Sequence, residues 1–346
     1  MWREPYRQRF EDAVHGLLWR QWTALGVAGA GAKAEDRVVD PEALLLFTLE
    51  AARTEPRLFD EVLDWLFVNG AWIDVQRLRN LLSSDRGASV RLILTVGKLL
   101  ARQERSAKWT RLASAKAPLP REPERLFLPP AAIGSAPDRD LDPTFLEAGY
   151  ARGPIHARGL SVPVPILAPS SLRFRLRAFL GIGIRAEIVL YLFSKGEAHA
   201  SDVAGAIGYS VPGVQQALRE MSQSELVRGR RQGHERRYSL ETDRWASFLG
   251  IAPTRWVGWP ALFRGLAQVL RYFRRSDLAD ASDYLQASEF VRAFSLALTD
   301  IERSGLQVHA PSRKGEAIET FADTLAGWLE GWVLQVGRSS FSAEAR

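Results

Sequence analysis

Proline decides where this chain can be helical. Eleven of its 18 prolines fall between residues 106 and 171, among them Pro118, Pro120, Pro123, Pro129, Pro130, Pro163, Pro165 and Pro169. Each removes a backbone donor and biases its predecessor to extended geometry, so no long helix fits there. The same stretch holds Leu126, Phe127, Leu128, Phe145, Leu146 and Tyr150, too apolar for a free tether. It is expected to be an extended connector packed on its neighbours. The 346 residues then divide into a helical N-terminal domain (1–105), the connector (106–171), a compact middle unit (172–240) and a helical C-terminal domain (241–346).

Both ends read as mainly α. Leu44, Leu45, Phe47, Leu49 and Ala52 fall in one run, and Leu58, Val62, Trp65 and Leu66 repeat at spacings of three and four. Asn69-Gly70 is a helix-stop signal, followed by apolar segments from Ile73 to Leu82 and Val90 to Leu100. In the C-terminal third, three faces repeat at helical spacing. They are Leu262, Phe263, Leu266, Val269, Leu270 and Phe273; Phe290, Val291, Phe294, Leu298 and Ile301; and Ile318, Phe321, Leu325, Trp328, Leu329 and Trp332. Gly327 and Gly331 lie four apart on the last helix and predict close helix approach, within the chain or across a homodimer. The tryptophans, such as Trp22, Trp65, Trp256, Trp259 and Trp332, fit core anchors better than a stacking platform.

Composition narrows the class. At 46% apolar and 25% charged residues, the chain is that of a folded globular protein. It has no cysteine, which excludes a disulfide framework, Cys-ligated zinc, an iron–sulfur cluster and a cysteine nucleophile. No run approaches the ~18 apolar residues of a membrane span. Met1 to Pro5 lacks the start of a secretory signal. A cytoplasmic protein without membrane association is the expectation.

The formal charge of +6 is small for this length, but residues 172–240 carry 11 basic and six acidic residues. The pattern there is specific. Ile182, Ala186, Ile188, Val189, Tyr191, Leu192 and Phe193 predict a helix closed by Lys195-Gly196, followed by a short extended piece, Glu197 to Ala200. Ser201 predicts the N-cap of a second helix with Val203, Ala204 and Ile207 inward. After Gly208-Tyr209, Ser210 caps a third helix, with Pro212 in its first turn and Val214, Ala217, Leu218 and Met221 as its buried stripe. Leu226 to Arg231 reads as a strand, Gln232-Gly233-His234 as a tight turn, and Glu235 to Leu240 as a returning strand with Tyr238 and Leu240 inward.

Helix, short strand, helix, turn, helix and basic hairpin, in that order, make a winged helix-turn-helix. The stretch from Ser201 to Met221, with Leu226-Val227 and the hairpin ending in Arg236-Arg237-Tyr238, resembles the ArsR- and MarR-type bacterial DNA-binding regulators. The resemblance covers about 70 of the 346 residues. It departs from the family at Ser224-Glu225, where a small residue and glycine usually stand. It implies transcription regulation. The helix over 211–223 would lie in the major groove, with Gly213, Gln215, Gln216 and Arg219 at base edges, because Gln suits adenine and Arg guanine. Ser210 and the helix N-terminus suit a phosphate. The wing over 228–237, with Arg228, Arg230, Arg231, His234, Arg236 and Arg237, would follow the backbone or a narrow minor groove. Arg173, Arg175 and Arg177 are expected to add phosphate contacts. The partner is double-stranded DNA, with homodimerisation through the helical ends. The whole chain also resembles a loosely characterised bacterial group through Arg185 to Leu192. That resemblance implies the alternative of an adaptor or antitoxin-like protein whose helical domains bind a protein partner such as a nucleotidyltransferase.

Nothing supports an enzyme, a cofactor or a metal. His15, His156, His199, His234 and His309 are scattered. Asp138, Asp140 and Asp142 begin a calcium-loop pattern, but Pro143 and Gly149 stand where glycine and glutamate belong. Gly134-Ser135 lies too close to them for a nucleotidyltransferase motif. The glycines from Gly26 to Gly31 do not join a strand to a helix, so they are read as a loop. Gly208 to Pro212 fails the nucleophile-elbow pattern at its last position. Asp60 and Asp64 are read as a solvated pair. The segment from Leu58 to Leu82 could pass for a degenerate helix-turn-helix, but it lacks a basic wing and is read as a packing domain.

Overall fold

The computed structural model describes residues 3–29, 35, 37–84, 90–104, 107–129, 140–232 and 235–338. Among these, fifteen α-helices and five short strands make a mainly helical protein. The N-terminal part contains α1 (Arg3–Ala24), α2 (Pro41–Ala51), α3 (Pro56–Asn69), α4 (Val75–Ser84) and α5 (Val90–Glu104). Among the described residues, the proline-rich stretch carries α6 (Ala107–Ala113), β1 (Glu124–Arg125), α7 (Pro143–Glu147), β2 (Tyr150–Ala151) and a 3-10 turn (Pro169–Ser171), with β1 and β2 paired in parallel. Leu126, Phe145 and Tyr150 of this stretch are buried, whereas Leu146 is exposed. Next come α8 (Leu172–Leu180), α9 (Ile184–Lys195), β3 (Ala198–His199), α10 (Ala200–Ile207), α11 (Val211–Gln223), β4 (Arg228–Gln232), β5 (Glu235–Ser239) and α12 (Thr242–Leu249). The last helices are α13 (Trp259–Phe273), α14 (Asp283–Arg303) and α15 (Ile318–Gly337).

Two hydrophobic cores organise these elements. The larger joins residues from Phe10 to Phe174 with residues from Val257 to Val336, so both ends of the chain share one interior. The smaller is built from Leu172 to Leu249, plus Val38. Tryptophans anchor the larger one. Trp22 and Trp65 meet edge to face at 5.0 Å, and their indole N–H groups donate to Thr48 Oγ1 and the Leu25 carbonyl. Trp259 donates to the Val38 carbonyl at 2.8 Å, tying α13 to the segment before α2.

Several expectations need correction. Asp64 is buried, and Asp60, though partly exposed, is held in an ion pair. Asp60 accepts from Arg152 at 2.7 Å, and Asp64 accepts the backbone N–H groups of Gly159, Leu160 and Ser161 at 2.8–3.1 Å. Burial alone would raise the Asp64 carboxyl; those N–H groups outweigh it and hold it below its usual range. The pair thus fastens the proline-rich segment to α3. Gly327 and Gly331 meet no neighbour within 4 Å and line no helix crossing in the chain. Close approach occurs instead at Gly265 of α13, where an added Cβ would lie 2.6 Å from Ile301 and 2.9 Å from the Ala297 carbonyl of α14. Gly70 follows α3, but with right-handed geometry it enters a 3-10 turn rather than reversing the chain.

Candidate nucleic-acid interface

The candidate site is built on the smaller core. Val203, Ala204 and Ile207 of α10 pack against Val214, Ala217, Leu218 and Met221 of α11, all buried. Gly208 turns between them in the left-handed region at φ 76°. An added Cβ there would also strike Leu81 of α4 at 2.8 Å, so glycine is required twice over. Ser210 caps α11, accepting the Gly213 N–H at 3.3 Å. The cap of α10 is not Ser201 but His199, whose Nδ1 accepts the Ser201 N–H; the extended β3 ends one residue earlier than the sequence suggests. β5 then pairs antiparallel with both β3 and β4, in the order β3-β5-β4, with Tyr238 turned inward.

The solvent side carries most of the expected contact residues. Gln216 and Arg219 of α11 are exposed, and Gly213 and Gln215 are half-buried. Gln216 donates to Glu220 and accepts from Arg219, both at 2.7 Å, while Arg185 of α9 donates to Glu220 at 2.7 Å. The bonds from Gln216 and Arg185 hold the Glu220 carboxyl below its usual range. On the hairpin, Arg230 stands directly opposite Arg237 and Arg231 opposite Arg236. Arg236 lies over the Tyr238 ring at 5.5 Å and across Gly229, where any Cβ would meet its guanidinium at 2.8 Å. Arg228 is paired with Glu241. Gly233 and His234 lie outside the described residues, as do Gly134, Ser135 and Asp138. Asp142 is the N-cap of α7, accepting from Thr144 and Phe145.

Glu225 alone among the described non-glycine residues has a left-handed backbone, φ 59°. The turn before β4 thus places a side-chain-bearing residue in a strained conformation.

Arg173 and Arg177 do not reach solvent. They are 2% and 1% exposed and join a buried cluster with Arg77, Asp40, Glu42 and Glu187. Arg77 grips Asp40 with both terminal nitrogens at 2.6 Å and reaches Glu42 at 2.7 Å. Arg177 grips Glu42 at 2.7 and 2.8 Å and Glu187 at 2.7 Å, and Arg173 reaches Glu187 at 2.6 Å. Three cations and three anions balance, as burial demands. Burial raises the Asp40 and Glu42 carboxyls, but the surrounding arginines more than offset it, leaving Asp40 well below its usual range and Glu42 below its own.

Sequence reasoning anticipated a helical segment at α4 but missed its place at the site. It lies on the α10–α11 turn, where Arg77 donates to the Ile207 carbonyl at 2.7 Å and Asn80 to the Gly208 carbonyl at 3.1 Å. Tyr209 donates to Asp74, and burial together with that carboxylate pushes the phenol well above its usual value. Gln76, Asn80 and Ser83 of α4 face an open cleft of about 1350 Å³, shared with Ser210 and with Arg264 and Arg303 of α13 and α14. The signal was present as a polar repeat, Gln76, Arg79, Asn80, Ser83, at helical spacing. Among the described residues, no group of three His, Asp or Glu side chains could hold a metal, and no helix is long and apolar enough to cross a membrane. No protein-family model, curated protein or solved structure matches the chain.

Proposed function

We propose that this protein is a sequence-specific, double-stranded DNA-binding transcriptional regulator of the winged helix-turn-helix type. The observation that carries the reading is the hairpin. Two arginine pairs face each other across β4 and β5, and like charges directly opposite weaken a strand ladder. A polyanion relieves that repulsion. In this reading α11 lies in the major groove. Gln216 and Arg219 exchange their mutual hydrogen bond for base edges, and Gln215 and Gly213 lie along the same approach. Ser210 and the first turn of α11 take a phosphate, while Arg228, Arg230, Arg231, His234, Arg236 and Arg237 follow the backbone or minor groove.

Selection from random duplexes, followed by salt-titrated binding, tests this. The expected result is a site bound roughly 10³-fold or more tighter than random DNA at physiological salt. A preference below about tenfold overturns it.

One observation favours a second reading. Phe179 and Phe248 are 60% and 59% exposed with ring centroids 5.1 Å apart, an aromatic pair suited to a protein surface. An adaptor or antitoxin-like protein would co-purify with a stoichiometric protein partner and show no sequence preference on DNA.

A further inference from the structure

We propose that α4 and the cleft it shares with Ser210 form a second phosphate-binding surface for the same DNA duplex. This rests on the DNA-binding reading and extends it to parts of the chain that carry no winged-helix pattern. The outer ridge of α4 presents Gln76 and Arg79, both exposed, with Asn80 half-buried beside them. Gln76 borders two recesses at once, one on each flank of the helix. On one flank, Arg79 and Arg111 line a recess of about 340 Å³, and neither has a carboxylate within ion-pair distance among the described residues. On the other flank lies the 1350 Å³ cleft. There Arg264 and Arg303 share a single carboxylate, Asp300, at 3.3 and 3.5 Å, which leaves one positive charge uncompensated.

Cations on both flanks of a polar helix make a track, not an enclosed pocket. A track suits an extended polyanion better than a small anionic ligand. Its position ties it to α11. Ser210 stands at the rim of the larger cleft, and α4 is bonded to the turn just before it through Arg77 and Asn80. A phosphate strand passing the α11 N-terminus therefore meets α4 next. The contacts are to the backbone, so they add affinity without changing sequence preference.

The test compares three full-length proteins on one selected duplex and on random duplex: wild type, the triple variant Arg79→Ala, Arg111→Ala, Arg303→Ala, and the wing variant Arg230→Ala, Arg231→Ala. Each lost phosphate contact flattens the plot of log affinity against log salt by about 0.9. The triple variant is expected to flatten the slope by about two or more, and to lose at least about tenfold in affinity near 0.15 M salt on both duplexes. Replacing the same three residues by Lys should restore most of the slope, which separates charge from folding. If the triple variant binds like wild type while the wing variant is weakened, the α4 surface is overturned and the DNA-binding reading stands. If wild type itself binds no duplex, both fall.

Discussion

Arg77 of α4 donates from Nε to the Ile207 carbonyl at 2.7 Å, so a guanidinium of one core closes the last turn of a helix in the other. Terminal carbonyls of a helix need such a partner. The same side chain neutralises Asp40 and Glu42, both fully enclosed. Arg77→Met removes one of the three cations and leaves three buried carboxylates facing two arginines. Chemical denaturation should show a loss of about 3–5 kcal/mol. A loss below about 1 kcal/mol would mean that water replaces the guanidinium without penalty.

Acid should release the same cluster. The folded Asp40 and Glu42 carboxyls titrate below their unfolded values, so on acidification the unfolded chain takes up protons first. Their contribution is complete above about pH 4, the unfolded range, and is lost as pH falls below it towards the folded values. Thermal midpoints should hold down to about pH 4 and then drop steeply. Glu42→Gln should lower the midpoint near neutral pH and shallow the acid limb.

On DNA, the two parts of the candidate site should separate. Arg230→Ala or Arg231→Ala should weaken all sequences alike and reduce the salt slope by about one each. Gln216→Ala should relax preference at one base position by about 1–3 kcal/mol, since its side chain is exposed. Gln215→Ala should do less, being half-buried. Equal effects from wing and helix variants would argue that α11 reads no bases.

The glycines of the C-terminal helices offer a matched pair. Gly265→Ala places a methyl against Ile301 and the Ala297 carbonyl, and should cost about 1–3 kcal/mol. Gly331→Ala meets nothing within 4 Å and should stabilise α15 by up to about 1 kcal/mol. Melting both variants checks the contrast. Similar shifts of the same sign would contradict the α13–α14 crossing.

Glu225→Gly should stabilise the protein by about 1 kcal/mol, because glycine adopts the left-handed turn without the clash a Cβ brings. Denaturation midpoints measure it. A destabilised variant would show that the Glu225 side chain contributes more than its strain costs.

Local patterns carried well from sequence to structure. The buried stripe of α11, the Ser210 cap and the inward Tyr238 all depend on neighbours within a few residues, and their spacing is visible in the sequence. The cluster around Arg77 was not legible. Its members come from positions 40, 42, 77, 173, 177 and 187, and no local spacing announces that they meet. Arg173 and Arg177, four apart beside a basic segment, look like a surface stripe until their carboxylate partners arrive from α2 and α9. Asp64 misleads for the same reason, since its partners are backbone N–H groups nearly a hundred residues away. The role of α4 was hidden because its polar face is short and its neighbour, the α10–α11 turn, lies far along the chain.

The sharing of one interior by both ends of the chain sets an order of events during synthesis. Helix α1 packs along α15, with Arg20 bonded to the Gly337 carbonyl and Gly337 beside Leu17. Every residue of the smaller core precedes α13, so that unit is complete while α1 still waits for its partner. The ribosome therefore exposes a finished small body tethered to an unclosed large one. The faces of α1 and α2 that pack on α13, α14 and α15 stay uncovered, and open to chaperones or misassembly, until those helices have been made.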